Sequence, residues 1–411
     1  MLDPFRRILA LPGALAFSAA GLVARMPIAM LGLGIVLLVS ERTGSYALAG
    51  SVSAVQVAAG AVASPFQGRL VDRFGQALVL QLAAVGFAVG IVSTIAAVEG
   101  DWALPLPHLC AGLAGATLPQ IGSAVRTRWR HVVQDRAQLD TAFALEAVVD
   151  EAIFIIGPVL VTLLATSHHP WSGLVVAGLL GAGGAFLFSR LRATQPPVQV
   201  RERGTRAAPM PWRGLVPLMV VGAGLGSLFG SAEVVTVAFA EEAGNRALAG
   251  PMLAVWAAGS LLAGLVVGAR KPRGHALGRL RWSATALTLT MAPLIVLPTV
   301  TGATVVLFFA GFAISPTLIA SISLVERVVP RERLTEGISW VTTGLAAGIA
   351  PGAAISGVVI DSAGASAAYA VCVVSGAVAV AGAWTVRRPA EGLVQPDVGE
   401  PAGVTSPADG R

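Results

Sequence analysis

The sequence predicts an all-α membrane protein with twelve transmembrane helices. Of its residues, 55% are hydrophobic and only 12% are charged, which is half the charged fraction of a typical soluble domain. The apolar segments are also long enough, since about 20 residues are needed to cross about 30 Å of hydrocarbon. No segment alternates apolar and polar residues at every second position, as a transmembrane β-barrel would require.

Twelve apolar segments are separated by charged residues and by short turns that contain glycine or proline. In order, they are 13–38, 47–66, 77–98, 104–125, 141–165, 172–190, 214–239, 248–269, 282–300, 303–324, 336–360 and 366–386. We expect helices because a helix satisfies its own backbone hydrogen bonds, which lipid cannot do. The first segment follows Arg6 and Arg7, but it leads directly into further spans, so we interpret it as an uncleaved helix.

Lysine and arginine residues orient the predicted helices. With the N-terminus placed in the cytoplasm, 25 of the 28 Lys and Arg residues fall on the cytoplasmic side. The opposite side holds only Arg42 and Arg246, and Arg25 lies within the first span. The positive-inside rule therefore places both termini in the cytoplasm and supports an even number of helices. Because no basic stripe alternates with exposed aromatic residues, we expect no nucleic-acid partner.

A polar segment divides the chain into two sets of six spans. It runs from Arg190 to Arg213 and contains Pro196 and Pro197, which is typical of a linker. We therefore predict an N-terminal six-helix bundle at 1–190, a cytoplasmic linker at 191–213, a C-terminal six-helix bundle at 214–388 and a disordered cytoplasmic tail at 389–411. The tail is rich in Pro, Gly and Asp, a composition that does not bury enough apolar surface to fold.

The two halves of the chain resemble each other in sequence. A shift of 200 residues superposes 47–50 on 247–250, and both segments read Ala-Leu-Ala-Gly. The same shift matches further residues, in the pairs Gly44 with Gly244, Ala54 with Ala254, Gly68 with Gly268 and Arg73 with Arg273. Later the offset drifts, as in the pair Pro158 with Pro351. An ordered series of this kind indicates a tandem repeat of six spans.

Residues 66–76, which read FQGRLVDRFGQ, form a short charged segment between the second and third spans. The positions that match the pattern G-x-L-x-D-R-x-G are Gly68, Leu70, Asp72, Arg73 and Gly75. The segment resembles the loop between the second and third helices of major facilitator superfamily (MFS) transporters. Gln76 and Ala77 stand where family members often carry basic residues. With the repeat, the resemblance covers about residues 13–386.

The resemblance implies the MFS fold, in which two six-helix bundles enclose a central cavity and rock so that it opens to each side in turn. The aspartate of the family motif, here Asp72, faces the start of the eleventh helix, here near Thr335, and the arginine, here Arg73, pairs with nearby acids. Because a helix N-terminus attracts an anion, Asp72 would hold the cytoplasmic side closed. The alternative is a surface turn with incidental charges. In the second half Pro272 replaces Asp72, so we expect this gate on one half only.

Charged residues within the predicted spans are candidate functional residues, because placing a charge in the middle of a span costs at least about 2.5 kcal/mol on insertion scales. They are Arg25, Glu146, Asp150, Glu151 and Glu233. Glu146 and Asp150 are four residues apart and share a helix face, whereas Glu151 points elsewhere. Arg25 lies roughly 18 Å into span 1 and Asp150 roughly 14 Å into span 5, so their depths are comparable. We therefore predict that Arg25 pairs with Asp150 or Glu146.

This ion pair is the predicted coupling site. One carboxylate would release and rebind a proton as the bundles move, because the proton affinity of a buried acid near a cation depends strongly on its surroundings. The alternative is a permanent ion pair that fixes helix packing. Glu233, about nineteen residues into span 7, is expected either to line the outer mouth and attract a cationic substrate or to lie at the membrane interface as a snorkelling acid.

Two further features bear on the function. Gly157-Pro158 in span 5 is predicted to break the helix where a neighbour approaches closely. Exporters of the superfamily carry a Gly-Pro pair in their fifth helix within a longer glycine-rich motif, but Val159 and Leu160 follow it here, so the resemblance is partial and a packing kink is the alternative. Gln120 in span 4 is a candidate substrate contact, since that span lines the cavity in the family.

These observations favour a secondary active transporter in the cytoplasmic membrane over an enzyme. No P-loop, zinc-protease or serine-hydrolase motif occurs, and we expect no cofactor and no metal. The apolar spans, rich in Gly and Ala, favour proton-coupled export of small amphipathic or hydrophobic molecules by a monomer. The alternatives are proton-coupled uptake of a small metabolite and a non-transporting membrane receptor of the same fold. Lys271 is the only lysine, which indicates a bacterial genome rich in G and C.

Overall fold

The computed structural model describes residues 3–197, 209–269, 275–330 and 334–386. These residues form helices joined by short turns, and no strand occurs among them. The predicted tail at 389–411, the middle of the predicted linker and Pro272 lie outside the described residues.

The described residues of the first half form α-helices α1 to α9. They are α1 (Asp3–Leu9), α2 (Ala14–Arg25), α3 (Leu31–Thr43), α4 (Tyr46–Phe74), α5 (Gln76–Glu99), α6 (Leu106–Thr117), α7 (Ile121–Val132), α8 (Arg136–Ser167) and α9 (Ser172–Arg190). A single 3-10 turn, Met26–Ala29, joins α2 to α3, so that the two form one span. The predicted spans 2 and 5 correspond to α4 and α8.

The described residues of the second half form α10 to α16. They are α10 (Trp212–Glu242), α11 (Ala249–Ala269), α12 (Ala276–Met291), α13 (Val300–Gly311), α14 (Ile314–Val328), α15 (Leu334–Ala363) and α16 (Ala365–Thr385). The predicted spans 7, 8 and 11 correspond to α10, α11 and α15.

Ten helical segments of the described chain are long and apolar enough to cross a membrane. They coincide with ten of the twelve predicted spans. The fourth predicted span is divided into α6 and α7 at Pro119 and Gln120, and the ninth contains only the 16 residues of α12 and a 3-10 turn that ends at Ile295. The chain therefore forms an all-helical, multi-pass membrane fold, and the count of twelve stays a prediction.

The charged segment at 66–76 is a helix end and not the loop that the sequence predicts. α4 continues to Phe74, so Asp72 and Arg73 lie in its last turn, where long polar side chains can reach water. Gly75 alone joins α4 to α5, with a φ of +83° that a residue with a Cβ rarely adopts. The predicted ninth span at 282–300 is also misplaced, because the helix begins at Ala276 and ends before the turn at 296–299.

Consecutive spans run in opposite directions, so the turns between them fall at two ends of the molecule. We call these the Gly44 end and the Gly75 end. The described turns of the Gly44 end lie near residues 44, 100, 168, 244, 297 and 364, and those of the Gly75 end lie near residues 75, 134, 191, 275 and 329.

The two halves pack against each other at the Gly44 end through two helix crossings. Gly50 of α4 lies against the backbone carbonyl of Ala353 in α15. Gly250 of α11 lies in the same way against the carbonyl of Pro158 in α8. A side chain at either glycine would collide with backbone atoms of the other half. Small residues allow membrane helices to approach this closely.

Candidate functional site

Arg25, at the end of α2, is the centre of a buried charge cluster in the first half. Its side chain is 1% exposed. It donates hydrogen bonds to two carboxylates of α8, from Nη2 to Oε2 of Glu146 at 2.5 Å and from Nη1 to Oδ1 of Asp150 at 2.8 Å. Its Nε donates to the carbonyl oxygen of Gly21 at 3.0 Å. All three nitrogens therefore have an acceptor, which fixes the orientation of the guanidinium.

Local helix geometry explains why these groups meet. Glu146 and Asp150 are one turn apart in α8 and face the same neighbour. α2 ends at Arg25 because Pro27, which has no backbone N–H, follows in the 3-10 turn.

Glu146 forms the buried side of the cluster. Its side chain has no exposed surface. Oε1 accepts hydrogen bonds from Oγ of Ser18 at 3.1 Å and from Nε1 of Trp129 at 2.8 Å, while Oε2 accepts from Arg25. A carboxylate this deep is tolerated only when it is paired and hydrogen-bonded. The geometry therefore makes Glu146 a fixed anchor of the cluster.

Asp150 and Arg126 form the exposed side of the cluster. Nη2 of Arg126, on α7, donates to Oδ2 of Asp150 at 2.7 Å, and the side chains are 42% and 33% exposed. A charged pair near the middle of a span is strongly disfavoured against lipid, so this side is expected to face a water-filled cavity. Sequence reasoning assigns Arg126 to a loop and misses it, because α7 in fact continues to Val132.

The cluster joins two carboxylates to two guanidiniums, and it links three helices of the first half. Asp150 is shared by both arginines, so a proton on its carboxylate would weaken two ion pairs together. Arg25 would keep its bond to Glu146, whereas Arg126 would keep only a bond of 3.3 Å to the carbonyl of Gly122. The cluster therefore connects α2, α7 and α8 through the one carboxylate of Asp150.

Two other acids of the predicted spans are not in this cluster. Glu151 and Glu233 are both half-buried, and neither forms a hydrogen bond or ion pair within the described part of the chain. Glu233 of α10 lies against α3, since a Cβ on Gly32 would be 2.8 Å from Oε1 of Glu233. The carboxylate thus sits between the two halves, and its role in substrate binding stays a prediction.

Gln120 and the Gly157-Pro158 pair both contact neighbouring helices. Oε1 of Gln120, at the break between α6 and α7, accepts a hydrogen bond from Oγ of Ser64 at 3.0 Å. A Cβ on Gly157 would lie 2.8 Å from Cβ of Ala29. α8 continues through Pro158 to its end at Ser167, so the predicted break of the helix is wrong. The pair instead lies at two helix contacts: Gly157 packs against Ala29 of the same half, and the carbonyl of Pro158 packs against Gly250 of the other half.

Asp72 and Arg73, the charged residues that match the family motif in the segment at 66–76, are exposed. Neither Asp72 nor Arg73 hydrogen-bonds to, or pairs with, any of the described residues. The guanidinium of Arg73 lies 5.1 Å from the ring centroid of Phe74. α15 begins at Leu334, but the side chain of Thr335 lies outside what the structure describes. The contact between Asp72 and this helix stays a prediction, as does the gate.

Polar side chains join the halves at the Gly44 end. Arg246 of the second half forms an ion pair with Glu41 of the first, and the hydroxyl of Tyr46 in the first half donates to Glu241 of the second. The shift of 200 residues relates Glu41 to Glu241 and Tyr46 to Arg246, so the two contacts are symmetric. Sequence reasoning treats Arg246 only as a cation of a short outer turn, because neither partner is near it in the chain.

Comparison with protein families matches the chain to the Major Facilitator Superfamily over residues 17–308 and 273–408. No curated protein sequence matches it.

Solved transporter structures share the fold at low sequence identity. A point mutant of the nucleoside transporter NupG has a TM-score of 0.70 at 14% identity, and the match covers 91% of this chain and 98% of that one. The POT family transporter PepTSo has a TM-score of 0.69 at 11% identity, with 92% and 97% covered. A bacterial homologue of the iron transporter ferroportin, in an inward-facing state, has a TM-score of 0.66 at 13% identity, with 90% and 98% covered. Such identities show the fold alone.

Proposed function

The chain belongs to the Major Facilitator Superfamily, and on that premise we propose that it exports small amphipathic or hydrophobic molecules in exchange for protons. It works by alternating access as a monomer in the cytoplasmic membrane, with the space between its halves open to one side at a time. The observation that carries the proposal is the carboxylate of Asp150, which two arginines share at the exposed side of a buried charge cluster.

Asp150 carries the coupling proton in this proposal. It is the carboxylate of the cluster that water can reach, whereas Glu146 is enclosed by Arg25, Ser18 and Trp129. Opposite charges within ion-pair distance make the proton affinity of a carboxylate depend on their position. Movement of Arg126 during the transport cycle would therefore change how tightly Asp150 holds a proton.

The orientation and the conformational state give the order of events. We assign the Gly75 end to the cytoplasm because nearly all basic loops lie there. Since the halves are packed at the Gly44 end, this conformation is inward-facing, the state in which the ferroportin homologue was captured. Asp150 would release its proton to the cytoplasm in this state and take up a new one after the Gly75 end closes.

The substrate class follows from the sparse hydrogen-bonding capacity of the spans. Gln120 is already bonded to Ser64, and the amide of Gln67 donates to the carbonyls of Ala116 and Leu118. Few amides are therefore free to bind a sugar or a similar polar solute. The remaining surface is rich in Gly, Ala and Val, which favours ligands with a large apolar part.

The test is a thermal-shift screen of amphipathic compounds on the purified protein, followed by proton flux in liposomes with each hit. We expect the wild type to move protons against the hit, and we expect Asp150→Asn to bind it while flux falls to background. Glu146→Gln should instead lower the melting temperature, because disrupting a buried ion pair costs about 3–5 kcal/mol. Full proton exchange in a folded Asp150→Asn protein would contradict the assignment.

The same measurement separates the alternatives. A symporter would take up protons only with a solute supplied on the outside. A receptor would show no substrate-dependent flux in the wild type, although it would still bind its ligand.

A further inference from the structure

The last turn of α15 caps the first turn of α4 at the Gly44 end. Oδ1 of Asp361 accepts a hydrogen bond from the backbone N–H of Tyr46 at 2.8 Å. Oδ2 accepts from the backbone N–H of Ala47 at 2.9 Å and from the hydroxyl of Ser45 at 2.8 Å. The first N–H groups of a helix have no partner within it, and its N-terminus attracts an anion. A carboxylate of the second half thus accepts hydrogen bonds from the free N–H groups at the start of a helix in the first half.

The residues around Asp361 repeat the spacing of the charged segment at the far end of α4. Both segments follow the pattern G-x-x-x-D-x-x-G; they are Gly68, Asp72, Gly75 and Gly357, Asp361, Gly364. They lie on different helices, in different halves and at opposite ends of the molecule. The 200-residue repeat does not relate them, so the match is an additional regularity of the chain.

The two segments also share their backbone geometry. Asp72 is two residues before the end of α4, and Asp361 is two residues before the end of α15. The glycine that follows each helix has nearly the same conformation, with φ and ψ of 83° and 159° at Gly75 and of 84° and 168° at Gly364. In both cases the next helix begins at the following residue.

Within the described part of the chain, only the segment around Asp361 contacts the other half. A Cβ on Gly357 would collide with the backbone carbonyl of Tyr46, whereas a Cβ on Gly68 would have no described atom within 4 Å. Asp361 accepts three hydrogen bonds, and Asp72 accepts none within the described part of the chain. The two segments therefore have the same structure in two different states.

We propose that Gly357 and Asp361 form a second latch, which holds the Gly44 end closed by seating the start of α4 against the end of α15. α4 and α15 exchange roles during the cycle. In this conformation α15 caps α4, and in the opposite one Gly68 and Asp72 of α4 receive the start of α15. Gly357 and Asp361 are positioning residues that touch no substrate, and the inference rests on the alternating access of the proposed function.

Distances between spin labels at the Gly44 end test the latch. The labels are placed at Thr43→Cys and Ala243→Cys, which are exposed and belong to different halves. The native Cys110 and Cys372 are replaced by alanine first.

Gly357→Leu and Asp361→Asn are expected to enlarge the population with long label distances, by about ten-fold for the asparagine and more for the leucine, since each factor of ten requires only about 1.4 kcal/mol. The matched variants Gly68→Leu and Asp72→Asn are expected to keep the short distance. These two substitutions lie at the opposite end of α4 and leave the contact with Asp361 intact, so only the first pair of variants should lengthen the label distance. A change that only loosened the fold would not produce this difference.

An unchanged distance distribution in Asp361→Asn or Gly357→Leu would overturn the latch, provided that the variant elutes as one monodisperse species. If Gly357→Leu does not fold, the label distances in Asp361→Asn alone still test the latch. An equal gain of long distances in Asp72→Asn would overturn it as well. Proton flux in the same samples is a separate readout, because absent flux in the wild type would refute the proposed transport while the label distances still report on the latch.

Discussion

Asp361 at the Gly44 end accepts three hydrogen bonds from the start of α4, whereas Asp72 at the Gly75 end accepts none among the described residues. The exposure of α4 differs in the same direction. Ala49, near the Gly44 end, is fully buried, and Phe66, toward the Gly75 end, is 57% exposed. The first turns of α4 are therefore packed against the other half, whereas its last turns are more exposed.

The local sequence does not explain this difference, because both ends carry the same glycine and aspartate spacing and the same glycine turn. We attribute the difference to the conformational state of the molecule, since Asp361 of α15 caps the start of α4 here while Asp72 of α4 has no partner among the described residues. The ends differ in one respect that the motif does not cover. The Gly44 end has further contacts across the halves, made by the side chains of Arg246 and Tyr46.

Gly250→Leu should have the largest effect on the closure of the Gly44 end. The new side chain would collide with the carbonyl of Pro158 at the second helix crossing of the Gly44 end. Backbone cannot yield as a flexible side chain can, so we expect the Gly44 end to stay open and substrate-dependent proton flux to fall to background. Gly278→Leu on α12 is the control, since a Cβ there would have no described atom within 4 Å. Unchanged flux in Gly250→Leu would show that this crossing does not need to close.

Arg246→Gln should have an intermediate effect. It removes the ion pair with Glu41 and the hydrogen bonds that Arg246 donates to the carbonyl of Leu37 and the hydroxyl of Ser40, all of them across the halves. The Glu41 side chain is 53% exposed, and ion pairs at partly exposed sites contribute modestly. We expect the population with long label distances at the Gly44 end to rise by about five-fold. Arg42→Gln is the matched control, because Arg42 pairs with Glu99 inside the first half. Equal effects of the two substitutions would mean that surface charge, and not contact across the halves, sets the opening.

Tyr46→Phe should have the smallest effect. It removes one hydroxyl that bonds to Glu241 across the halves and leaves the backbone N–H of Tyr46 on Asp361. The acceptor Glu241 is 48% exposed and can bond to water instead, so we expect the lost hydrogen bond to contribute about 1 kcal/mol or less and the long label distances to gain two- to five-fold. The other tyrosine provides the control, because the hydroxyl of Tyr369 bonds to Thr236 within the second half. A larger effect in Tyr46→Phe than in Arg246→Gln would reverse the ranking of the two contacts.

Much of the fold was accessible from the sequence because hydrocarbon imposes long apolar helices. Ten spans of suitable length and composition coincide with predicted ones. The ends of the helices were harder to predict, as α4 shows. Hydropathy falls at Arg69, Asp72 and Arg73, but a helix that has reached water or headgroups can continue through such residues. The broken fourth span was harder still, because Pro119 stops the helix in the middle of an apolar run.

The candidate site was accessible only in part. The spacing of Glu146 and Asp150 indicates a shared face, but it cannot show that Trp129 and Ser18 enclose one acid while Arg126 exposes the other. Asp361 carries a readable signal, the spacing to Gly357 and Gly364, which a search at the repeat offset does not detect. Its partner at Tyr46 is more than 300 residues away in the chain, so only the fold shows that they meet.

The central claim is that the two ends open in turn, and label distances across both ends of the wild type test it most directly. One pair, at Thr43 and Ala243, spans the Gly44 end, and a second pair, at the exposed Arg130 and Arg327, spans the Gly75 end. When substrate or pH shifts the populations in liposomes, we predict that one distance lengthens as the other shortens. Distances that change in the same direction, or a Gly75 end that stays open while the Gly44 end also opens, would contradict the account.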